Sequence, residues 1–405
     1  MKGPIESQEI VLSFASPVGY EIVSVLESVG RIAYENVVSN RNLPPNNNSA
    51  MDGYVIRWPD FESGVRVFEM KGVIKAGDDV SKIKIGKNEC YKIMTGGFIP
   101  EGGDAVAEIE ICNEDNGYVT IDGKMKYFNH IRNAGEDIKI GDTIDIKGRE
   151  ITPFILARLI SAGVTFVKVA RRIRVGVIST GGELIYPSDS SFGDKTVDSN
   201  GFFARSFLKK LGVEIEYLGI FRDDDDDLAE FLKNIDDKYD IFLSSAGISS
   251  GDYDVVGNVA EEIGVEWKIR GVKQKPGKPF SFGILKGIPF FALPGNPVSS
   301  AFCVFFYVEP FIKKMFGCSD FLPKFVEAEL KGKMKKGNNR VHFNRVVLKY
   351  VEGKFVAYPF GAQDSHIIGS IMESNGFCML PSDLIGEIGE GVKLKVFPYE
   401  YRSIF

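Results

Sequence analysis

Hydrophobic and polar residues alternate in different ways along the chain, and each change of pattern predicts a different kind of structure. Between residues 17 and 34, apolar side chains recur at helical intervals after Pro17, which predicts an amphipathic helix. The apolar residues of this pattern are Ile22, Val25, Leu26 and Val29. Residues 65–119 show short alternating runs instead, and turn pairs at Asn116-Gly117 and Asp122-Gly123 predict hairpins in a small β-rich unit.

A third pattern, in which buried strands alternate with helices, begins near residue 172. The segment VGVIST (175–180) is a continuous apolar run that ends in a glycine turn, as in a strand buried on both faces. A capped helix is predicted to begin at Asp198 or Ser199 and end at Gly212, and a buried helix covers 301–308. This alternation predicts a doubly wound parallel sheet, with the binding crevice at the carboxyl ends of its strands.

The remaining segments predict more local structure. Thr152 and Pro153 favour the start of a helix that ends at Gly163. Further along, residues 340–358 predict a hairpin and 392–397 a further strand. A small C-terminal β domain is therefore expected.

Composition restricts the class of protein. The 405 residues are 44% hydrophobic, which suits about two to four domains with sizeable cores. The net charge of -6 argues against nucleic acid as a partner, because such binding needs a basic face. Five irregularly spaced cysteines suggest neither a zinc cage nor a disulfide framework and fit a reducing compartment. No apolar run reaches the ~20 residues of a membrane span, and no signal peptide is recognised, so a cytoplasmic location is expected.

Three polar turns follow predicted strands and carry groups that suit an anion or a metal. In STGGEL (179–184), backbone N–H groups and two hydroxyls suit phosphate and Glu183 suits a metal, although a plain helix entry would have the same pattern. In SSAGISSGDYD (244–254), Asp252 and Asp254 are oxygen donors suited to Mg²⁺, unless this is an ordinary loop. Asp223 begins an acidic run that is also typical of a solvated helix start.

Two further motifs would add positive charge at the same sheet edge. The segment KQKPGKPFSFG (273–283) carries three lysines around a rigid turn, which suits an anion clamp, although a solvated surface turn is the alternative. In LPGNPV (293–298), Asn296 is a good N-cap and Pro297 a good first helical residue, so unpaired amides would face the crevice. Part of this pattern is plain helix capping.

Outside the sheet, three polar, glycine-rich loops lie at 49–54, 93–106 and 132–137, and each alone could be an ordinary turn. The chain has three histidines and none is near a nucleophile elbow, which excludes a Ser-His-Asp hydrolase. No GxGxxG motif follows a strand, which argues against a dinucleotide oxidoreductase.

Taken together and in this order, the motifs resemble the MoeA family of molybdopterin molybdenumtransferases, whose relatives include the E domain of gephyrin. The similarity spans the chain from about Ile10 to its last residues. The motifs that carry it are NNNSAMDGY, IMTGGFIPEGGDAV, RNAGEDI, ISTGGEL, DSNG, PGKPFSFG and LPGNPVS.

The resemblance implies an α/β multidomain fold with a doubly wound molybdopterin-binding α/β domain. Its implied domains are a split helical domain (1–42 and 135–171), an inserted β-rich domain (43–134), the α/β domain (172–318) and a C-terminal β-barrel domain (319–405). It also implies a homodimer, in which the β-rich domain of one subunit contributes to the cleft over the α/β domain of the other.

The activity implied is insertion of molybdate or tungstate into adenylated molybdopterin, with Mg²⁺-dependent release of AMP. The implied catalytic residues are Asp52, Glu183, Asp223 and Asp254, the last three as Mg²⁺ ligands. The substrate-binding residues implied by similarity are Thr95, Arg132, Asp137, Lys275, Pro294 and Pro297, with Arg345 and Ser365 as additional positions. The turns described above add Ser179, Thr180, Gly181, Gly247, Gly277, Lys278, Gly295 and Asn296 as expected substrate-binding residues. The molybdopterin adenylyltransferase is a candidate partner.

Some positions depart from the family pattern. Gly182 stands where the family usually has an aspartate, SAGISSG replaces SGGVSVG, and Gly271 stands where a lysine is often present. Two alternative functions stay open at this point: adenylation of molybdopterin, which needs only the α/β domain, and a non-catalytic scaffold that binds a peptide, as in gephyrin.

Overall fold

The protein is described by a computed structural model, which covers residues 1–189, 193–222, 225–235, 238–245, 255–361, 363–400 and 404. For 225–226 and 255–258 the description is limited to the backbone. The proposed site residues Asp223, Gly247 and Asp254 lie outside the described residues. Across the described part of the chain, no helix combines the length and the hydropathy that crossing a membrane requires.

The first 171 residues, all described, contain three α-helices and twelve strands. In chain order these are α1 (Pro4–Ser13), β1 (Tyr20–Ser24), β2 (Val37–Val38), β3 (Asn48–Ser49), β4 (Gly53–Ile56), α2 (Trp58–Glu62), β5 (Val67–Ile74), β6 (Glu89–Ile93), β7 (Ala105–Glu108), β8 (Cys112–Asp115), β9 (Tyr118–Ile121), β10 (Ile131–Arg132), β11 (Thr143–Ile144), α3 (Pro153–Ser161) and β12 (Phe166–Ala170).

The helix predicted over 17–34 is wrong. This segment forms β1 and a short 3-10 turn at Val25–Glu27, because β1 pairs antiparallel with β12 along its whole length. Of the four apolar positions that suggested a helix, only Val25 is buried, whereas Ile22 is 63% exposed and Leu26 71% exposed, so they do not form one buried helical face. Pairing with a strand more than a hundred residues away overrides the local pattern.

The helix near the start of the chain is α1, which begins with Pro4 in its first turn. It buries Val11 and Leu12 in the largest hydrophobic core of the molecule, together with residues of the α/β sheet. The amide of Gln8 also donates a buried hydrogen bond to the backbone oxygen of Phe306, at 2.6 Å. Helix α1 is therefore part of the α/β core.

Residues 53–121 form a six-stranded sheet in the order β7-β4-β6-β5-β9-β8. The predicted hairpin at Asn116-Gly117 is confirmed, because both residues have positive φ angles between the paired strands β8 and β9. The hairpin predicted at Asp122-Gly123 is wrong. β9 ends at Ile121, and the next strand, β10, pairs with β3 instead of returning along β9.

The central part of the chain forms the α/β unit. Its elements are β13 (Arg174–Thr180), β14 (Leu184–Ile185), β15 (Thr196–Val197), α4 (Ser199–Lys209), β16 (Glu214–Phe221), α5 (Asp225–Lys233), β17 (Ile241–Ser245), α6 (Val255–Glu262), β18 (Glu266–Arg270), β19 (Gln274–Lys275), β20 (Ser281–Leu285), β21 (Ile288–Leu293), α7 (Pro297–Cys303) and α8 (Glu309–Met315).

The main sheet of this unit has the order β16-β13-β17-β21-β20-β18. The predicted parallel arrangement is confirmed for β16, β13, β17 and β21. The last two strands differ, because β20 runs antiparallel to both β21 and β18. A two-residue turn at Lys286-Gly287, with both φ angles positive, joins β20 to β21, and so short a turn can only connect antiparallel strands.

Two predicted helices of this unit are confirmed. Helix α4 begins after Asp198, whose carboxylate accepts a hydrogen bond from the backbone N–H of Gly201 at 3.0 Å. The buried segment at 301–308 is also helical: α7 continues through a π-helical turn, Val304–Val308, into α8. All five residues of that turn are buried.

The last part of the chain forms a β-barrel. Its elements are β22 (Val326–Leu330), β23 (Met334–Lys336), β24 (Val341–Val351), β25 (Lys354–Pro359), α9 (Gly369–Met372), β26 (Gly376–Leu380), β27 (Gly386–Ile388) and β28 (Lys393–Pro398). Strands β24, β25, β22, β28 and β26 pair in that order, and β26 pairs again with β24, which closes a five-stranded barrel. The expected C-terminal barrel is confirmed, and β19 of the α/β unit adds to the edge of β24.

The ion pair at Asp240 generates a stability prediction. This carboxylate, 11% exposed, accepts two hydrogen bonds from Arg171 at 2.8 Å and one from the backbone N–H of Arg174 at 2.8 Å. Although burial acts in the opposite sense, these contacts lower the pKa of Asp240 to about 2. We expect Asp240→Asn to lower the free energy of unfolding by about 2 kcal/mol at pH 7, measured by urea unfolding.

The pH dependence follows from the sign of this shift. A depressed pKa stabilises the folded state above the unfolded pKa, and the effect disappears as pH falls through the folded pKa. The difference between wild type and Asp240→Asn should therefore shrink as pH falls below about 4. Glu262→Gln, in an exposed pair with Lys233, serves as the control and should change little. Equal effects of the two substitutions would contradict the assignment.

Candidate functional site

A crevice opens at the carboxyl ends of the parallel strands, where the α/β unit meets the C-terminal barrel. It encloses a cavity of about 640 Å³. Its lining residues are Glu183, Leu184, Thr196, Val197, Asp198, Ser199, Asn200, Ser245, Pro279, Pro294, Gly295, Asn296, Pro297, Ser299 and His366. Five residues proposed from the sequence are thus brought together here: Glu183, Pro294, Gly295, Asn296 and Pro297.

Glu183 owes its position to the glycine turn after β13. Gly181 has a φ of +145°, a conformation that residues with a Cβ rarely adopt. A Cβ at this position would lie 2.7 Å from a carboxylate oxygen of Glu183. The turn therefore lets the exposed carboxylate of Glu183 lie directly over the backbone at the mouth of the crevice.

Below this turn, a buried carboxylate connects three elements. The hydroxyl of Ser179 donates to Asp198 at 2.6 Å, and the hydroxyl of Tyr217, on β16, donates to the same oxygen at 2.7 Å. Burial is the first cause that raises the pKa of Tyr217, so its phenol stays protonated and remains a donor. Gly201 leaves room for this contact, since a Cβ there would lie 2.5 Å from both Asp198 and Ser179.

Several buried hydroxyls near the strand ends have no hydrogen-bond partner within the described residues. They are Thr180 at the end of β13, Ser245 at the end of β17, and Ser300 in the first turn of α7. A buried hydroxyl without a partner costs about 1–3 kcal/mol, so such groups require an explanation. Polar groups of a bound ligand would satisfy those that face the crevice, as Ser245 does.

The PGKP turn lies beside the crevice, but its lysines do not line the cavity. Pro279 forms the wall, while Lys275 and Lys278 are half-buried next to it. Gly277, with a φ of +86°, packs so closely that a Cβ would lie 2.8 Å from the sulfur of Cys303. The buried amide of Gln274 braces the turn, because it donates to the backbone oxygen of Gly277 at 3.2 Å.

The N-terminus of α7 forms another wall. Asn296 occupies the N-cap position, as predicted, but its side chain makes no capping hydrogen bond and is exposed towards the crevice. The amide of Asn200 donates to the backbone oxygen of Gly295 at 2.7 Å, which links α4 to this turn. The expected role of Asn296 as a side-chain cap is therefore wrong, and its amide is available for other contacts.

The sequence did not predict ten of the lining residues: Leu184, Thr196, Val197, Asp198, Ser199, Asn200, Ser245, Pro279, Ser299 and His366. Among the polar ones, Asp198 and Ser199 are predicted only as possible helix caps. The polar motif DSNG could have indicated Asp198 and Asn200, and the expected position Ser365, which is the neighbour of His366, could have indicated His366. His366 reaches the crevice because the backbone oxygen of its neighbour Ser365 accepts a hydrogen bond from Val298 of α7 at 3.1 Å.

Arg345 holds this loop from below. It is 1% exposed, and its guanidinium donates to the backbone oxygen of Asp364 at 3.2 Å. Burial lowers the pKa of Arg345. Gln363 adds two hydrogen bonds of 2.9 Å with the backbone of Arg345. Arg345 thus positions the loop that carries Ser365 and His366 rather than facing the crevice itself.

The three polar loops of the N-terminal half form a second cluster. The backbone N–H and hydroxyl of Thr95 both donate to Asp52, at 2.7 and 2.8 Å, and the backbone bond is the first cause that lowers the pKa of Asp52. Ser49 exchanges backbone hydrogen bonds with Gly96 and Gly97. The pairing of β3 with β10 brings Arg132 beside them. The three loops at 49–54, 93–106 and 132–137 are therefore joined by hydrogen bonds and strand pairing into one cluster.

Asp52, Thr95 and Arg132 are exposed. Asp137 is exposed as well, and it forms an ion pair with Arg158 of α3. No hydrogen bond or ion pair between described residues connects these four side chains with the residues that line the crevice. One chain therefore presents the residues implied by the resemblance as two separate groups, the crevice and the cluster around Asp52.

Comparison with known proteins identifies the chain. Three family models match it: the MoeA N-terminal region (domain I and II) over residues 5–163, a probable molybdopterin binding domain over 176–314, and the MoeA C-terminal region (domain IV) over 327–398. A molybdopterin molybdenumtransferase from Haemophilus influenzae is 32% identical over 390 residues, which are 95% of either chain. The chain belongs to the MoeA family.

Further relatives support membership of the MoeA family. A molybdopterin molybdenumtransferase from Staphylococcus epidermidis is 30% identical over 90% of this chain and 88% of its own length. A crystal structure of the molybdopterin biosynthesis MoeA protein from Pyrococcus horikosii superposes with a TM-score of 0.85, at 29% identity over 98% of this chain and 99% of that one. The chain is thus an enzyme of molybdenum cofactor biosynthesis, and the match at 176–314 contains the strand ends that form the crevice.

The contact of Gly201 with Asp198 can be tested in this MoeA protein. In Gly201→Ala the new methyl group would meet Asp198 and Ser179 at 2.5 Å and push them apart. We expect a loss of about 1–3 kcal/mol in unfolding free energy, measured by urea unfolding. Gly369→Ala is the matched control, since its Cβ would meet nothing within 4 Å, and it should be neutral. A neutral Gly201→Ala would show that the carboxylate contact does not fix the crevice.

Proposed function

We propose that this protein inserts molybdate, or tungstate, into adenylated molybdopterin with Mg²⁺-dependent release of AMP. The observation that carries the proposal is the crevice itself, where an exposed carboxylate, a glycine turn and an unsatisfied buried hydroxyl converge on one cavity. These are groups that suit a phosphoanhydride and its metal. The relatives named molybdopterin molybdenumtransferase support the same reaction.

The described residues suit Mg²⁺ as a shared ligand of protein and substrate. Mg²⁺ is usually held by one or two carboxylates together with substrate phosphates and water. Glu183 has an exposed carboxylate in the crevice, whereas Asp198 already accepts hydrogen bonds from Ser179, Tyr217 and the backbone. Among the described residues no three His, Cys, Asp or Glu side chains converge as a metal cage. We propose Glu183, with Asp223 and Asp254, as the ligands.

Bound Mg²⁺ would neutralise negative charge on the diphosphate. The protein's own residues then bind and orient the substrate. Lys275 and Lys278 would bind phosphate or oxyanion beside the crevice, and the amide of Asn296 and the hydroxyl of Ser245 would position it. Cleavage requires one oxygen nucleophile, a single water molecule or an oxygen of molybdate, to attack phosphorus as AMP leaves, and other water must be kept out of the remaining space. The dithiolene sulfurs belong to the pterin.

The proposed active enzyme is a homodimer. The outer face of the β1–β12 ribbon exposes large apolar side chains, with Tyr20 at 49%, Ile22 at 63% and Phe166 at 66% exposure. Monomeric proteins rarely expose apolar groups side by side in this way, and such faces are typical of protein interfaces. A second copy of the chain would cover this face.

A dimer would also unite the two groups of site residues. Asp52 and Thr95 are fixed to each other, and within the described residues neither has a hydrogen bond or ion pair with the residues that line the crevice. We propose that they complete the crevice of the partner subunit, with Arg132 and Asp137 beside them. The exposure of all four side chains supports this arrangement, since a second molecule can reach each of them.

The proposal also covers the division of the chain into units, its compartment and its partner. We place the unit boundaries near residues 42, 134, 171 and 318, supported by the β1–β12 and β2–β11 pairings, which join the two N-terminal segments. The five cysteines are free, which supports a reducing compartment such as the cytoplasm. Contact with the adenylyltransferase that supplies the substrate belongs to the same proposal.

The reaction has a direct test. Purified protein incubated with adenylated molybdopterin should release AMP only when both molybdate and Mg²⁺ are present. Glu183→Gln should lower this rate by about a hundredfold or more, because it removes a charged ligand of the metal. Glu110→Gln, on the β-rich unit, is a control that should retain activity. Consumption of ATP instead of release of AMP would assign the protein to the preceding adenylation step.

The shared site predicts complementation between inactive variants. Asp52→Asn and Glu183→Gln should each be inactive as homodimers. Random mixing of the two chains produces half mixed dimers, each with one intact site, so about a quarter of wild-type activity should return. The measurement is AMP release after co-expression of differently tagged chains. A mixture as inactive as its components would mean that both residues act within one subunit.

A further inference from the structure

A group of basic residues lies at one end of the C-terminal barrel, apart from the crevice. Its centre is His342 on β24, which is 5% exposed. His342 pairs with Leu380 of β26, and Leu380 belongs to the barrel core with Val346 and Leu348. Paired residues on neighbouring strands point to the same face of a sheet, as do every second residues along a strand. His342 therefore points to the inner side, at the mouth of the barrel.

Three cations surround this imidazole. Lys336, at the end of β23, is fully buried, and its ammonium donates to the backbone oxygen of Ser382 at 3.1 Å. Arg340 lies two residues before His342 on the approach to β24. Lys275 comes from the α/β unit, where β19 pairs with β24 so that Lys275 is directly opposite His342. Burial first, and then Lys275, Lys336 and Arg340, lower the pKa of His342 to about 4.

Among the residues that the structure describes, these cations have no carboxylate partner. None of the three takes part in an ion pair between described residues. Asp383 acts on Lys336 through space and raises its pKa, but burial outweighs this effect, so the pKa of Lys336 is lowered. A buried ammonium without a counter-ion is unfavourable unless another charge neutralises it. The barrel mouth thus has an excess of positive charge that an anion would offset.

Asn338 orients the group. Its side-chain oxygen accepts a hydrogen bond from the backbone N–H of Arg340 at 3.1 Å and lies 3.0 Å from Nε2 of His342. Because an amide oxygen only accepts, Nε2 must carry the proton, and Nδ1 of the neutral ring has a free lone pair. An anion at the barrel mouth would favour protonation of Nδ1, which then becomes a further donor.

We propose that the barrel mouth formed by Lys275, Lys336, Arg340 and His342 is a binding site for a tetrahedral oxyanion, either a free inorganic anion or a phosphate monoester. Side chains alternate between the two faces of a strand, and Arg345 lies three residues after His342 on β24, so the two point to opposite faces. Because Arg345 supports the loop of the crevice, the site around His342 is distinct from the crevice. Lys275 connects the two, because it belongs to the PGKP turn beside the crevice. Binding at this site takes up a proton on His342.

The test uses the three histidines of the chain as reporters. Full-length protein labelled with ¹⁵N-histidine gives three imidazole signals, which His130→Gln and His366→Gln assign by elimination. Inorganic phosphate is titrated at constant ionic strength against chloride. We expect the His342 signals to move saturably, and the midpoint of its pH titration to rise by about one pH unit. AMP is titrated in parallel, so that competition by AMP identifies a phosphate monoester and its absence a free oxyanion.

Variants distinguish a site from general charge effects. Arg340→Gln should weaken phosphate binding about tenfold, as expected for loss of one charged hydrogen bond. Lys335→Gln, on an exposed neighbour of Lys336, is the matched control and should bind as wild type does. If Arg340→Gln does not fold, Lys336→Met replaces it, because an apolar chain of similar length suits that buried position. The proposal is overturned if the His342 signals do not move when phosphate is added, or if they move equally in the wild type and in Arg340→Gln. The readout needs no turnover, so it is independent of the transferase activity.

Discussion

The buried carboxylate of Asp198 ties the end of β13, the start of α4 and the side of β16 to one point. Ser179, Tyr217 and the backbone of Gly201 all donate to it, and Ser179 and Asp198 are themselves buried. Since a lost buried hydrogen bond leaves an unsatisfied group, the three elements hold a single relative position. The turn that carries Glu183 begins at Gly181, directly after Ser179 and Thr180. The position of Glu183 over the crevice therefore depends on the hydrogen bond between Ser179 and Asp198.

The rest of the crevice depends on contacts between distant parts of the chain. Asn200 binds the backbone of Gly295, and Val298 binds the loop of the C-terminal barrel that Arg345 supports from below. The walls of the cavity thus come from the α/β unit and from the barrel. The cluster around Asp52 is held by its own hydrogen bonds and lies outside these contacts. This separation is why we propose that the cluster completes the crevice of a second subunit.

Local patterns predicted much of this arrangement. The glycine turn after β13, helix α4 with its cap, helix α3 and the hairpin at Asn116-Gly117 follow from residues that are neighbours in sequence. Errors arose where pairing over a long distance decides the structure, as in β1, whose partner β12 begins only at Phe166. His366 was missed for the same reason, because its neighbours in the crevice come from distant segments of the chain. Lys275 was predicted, but its position opposite His342 was not, because the two residues belong to strands far apart in sequence.

Helix α1 has a consequence for the synthesis of this protein. Its buried residues Val11 and Leu12 share a core with α7, the π-helical turn and α8, and Gln8 binds the backbone of Phe306. Helix α1 therefore meets its partners in the core only after β18, and then α7, the π-helical turn and α8, have been translated. Until then Val11 and Leu12 have no core to pack against, so the core of the α/β unit closes only when segments far apart in sequence meet.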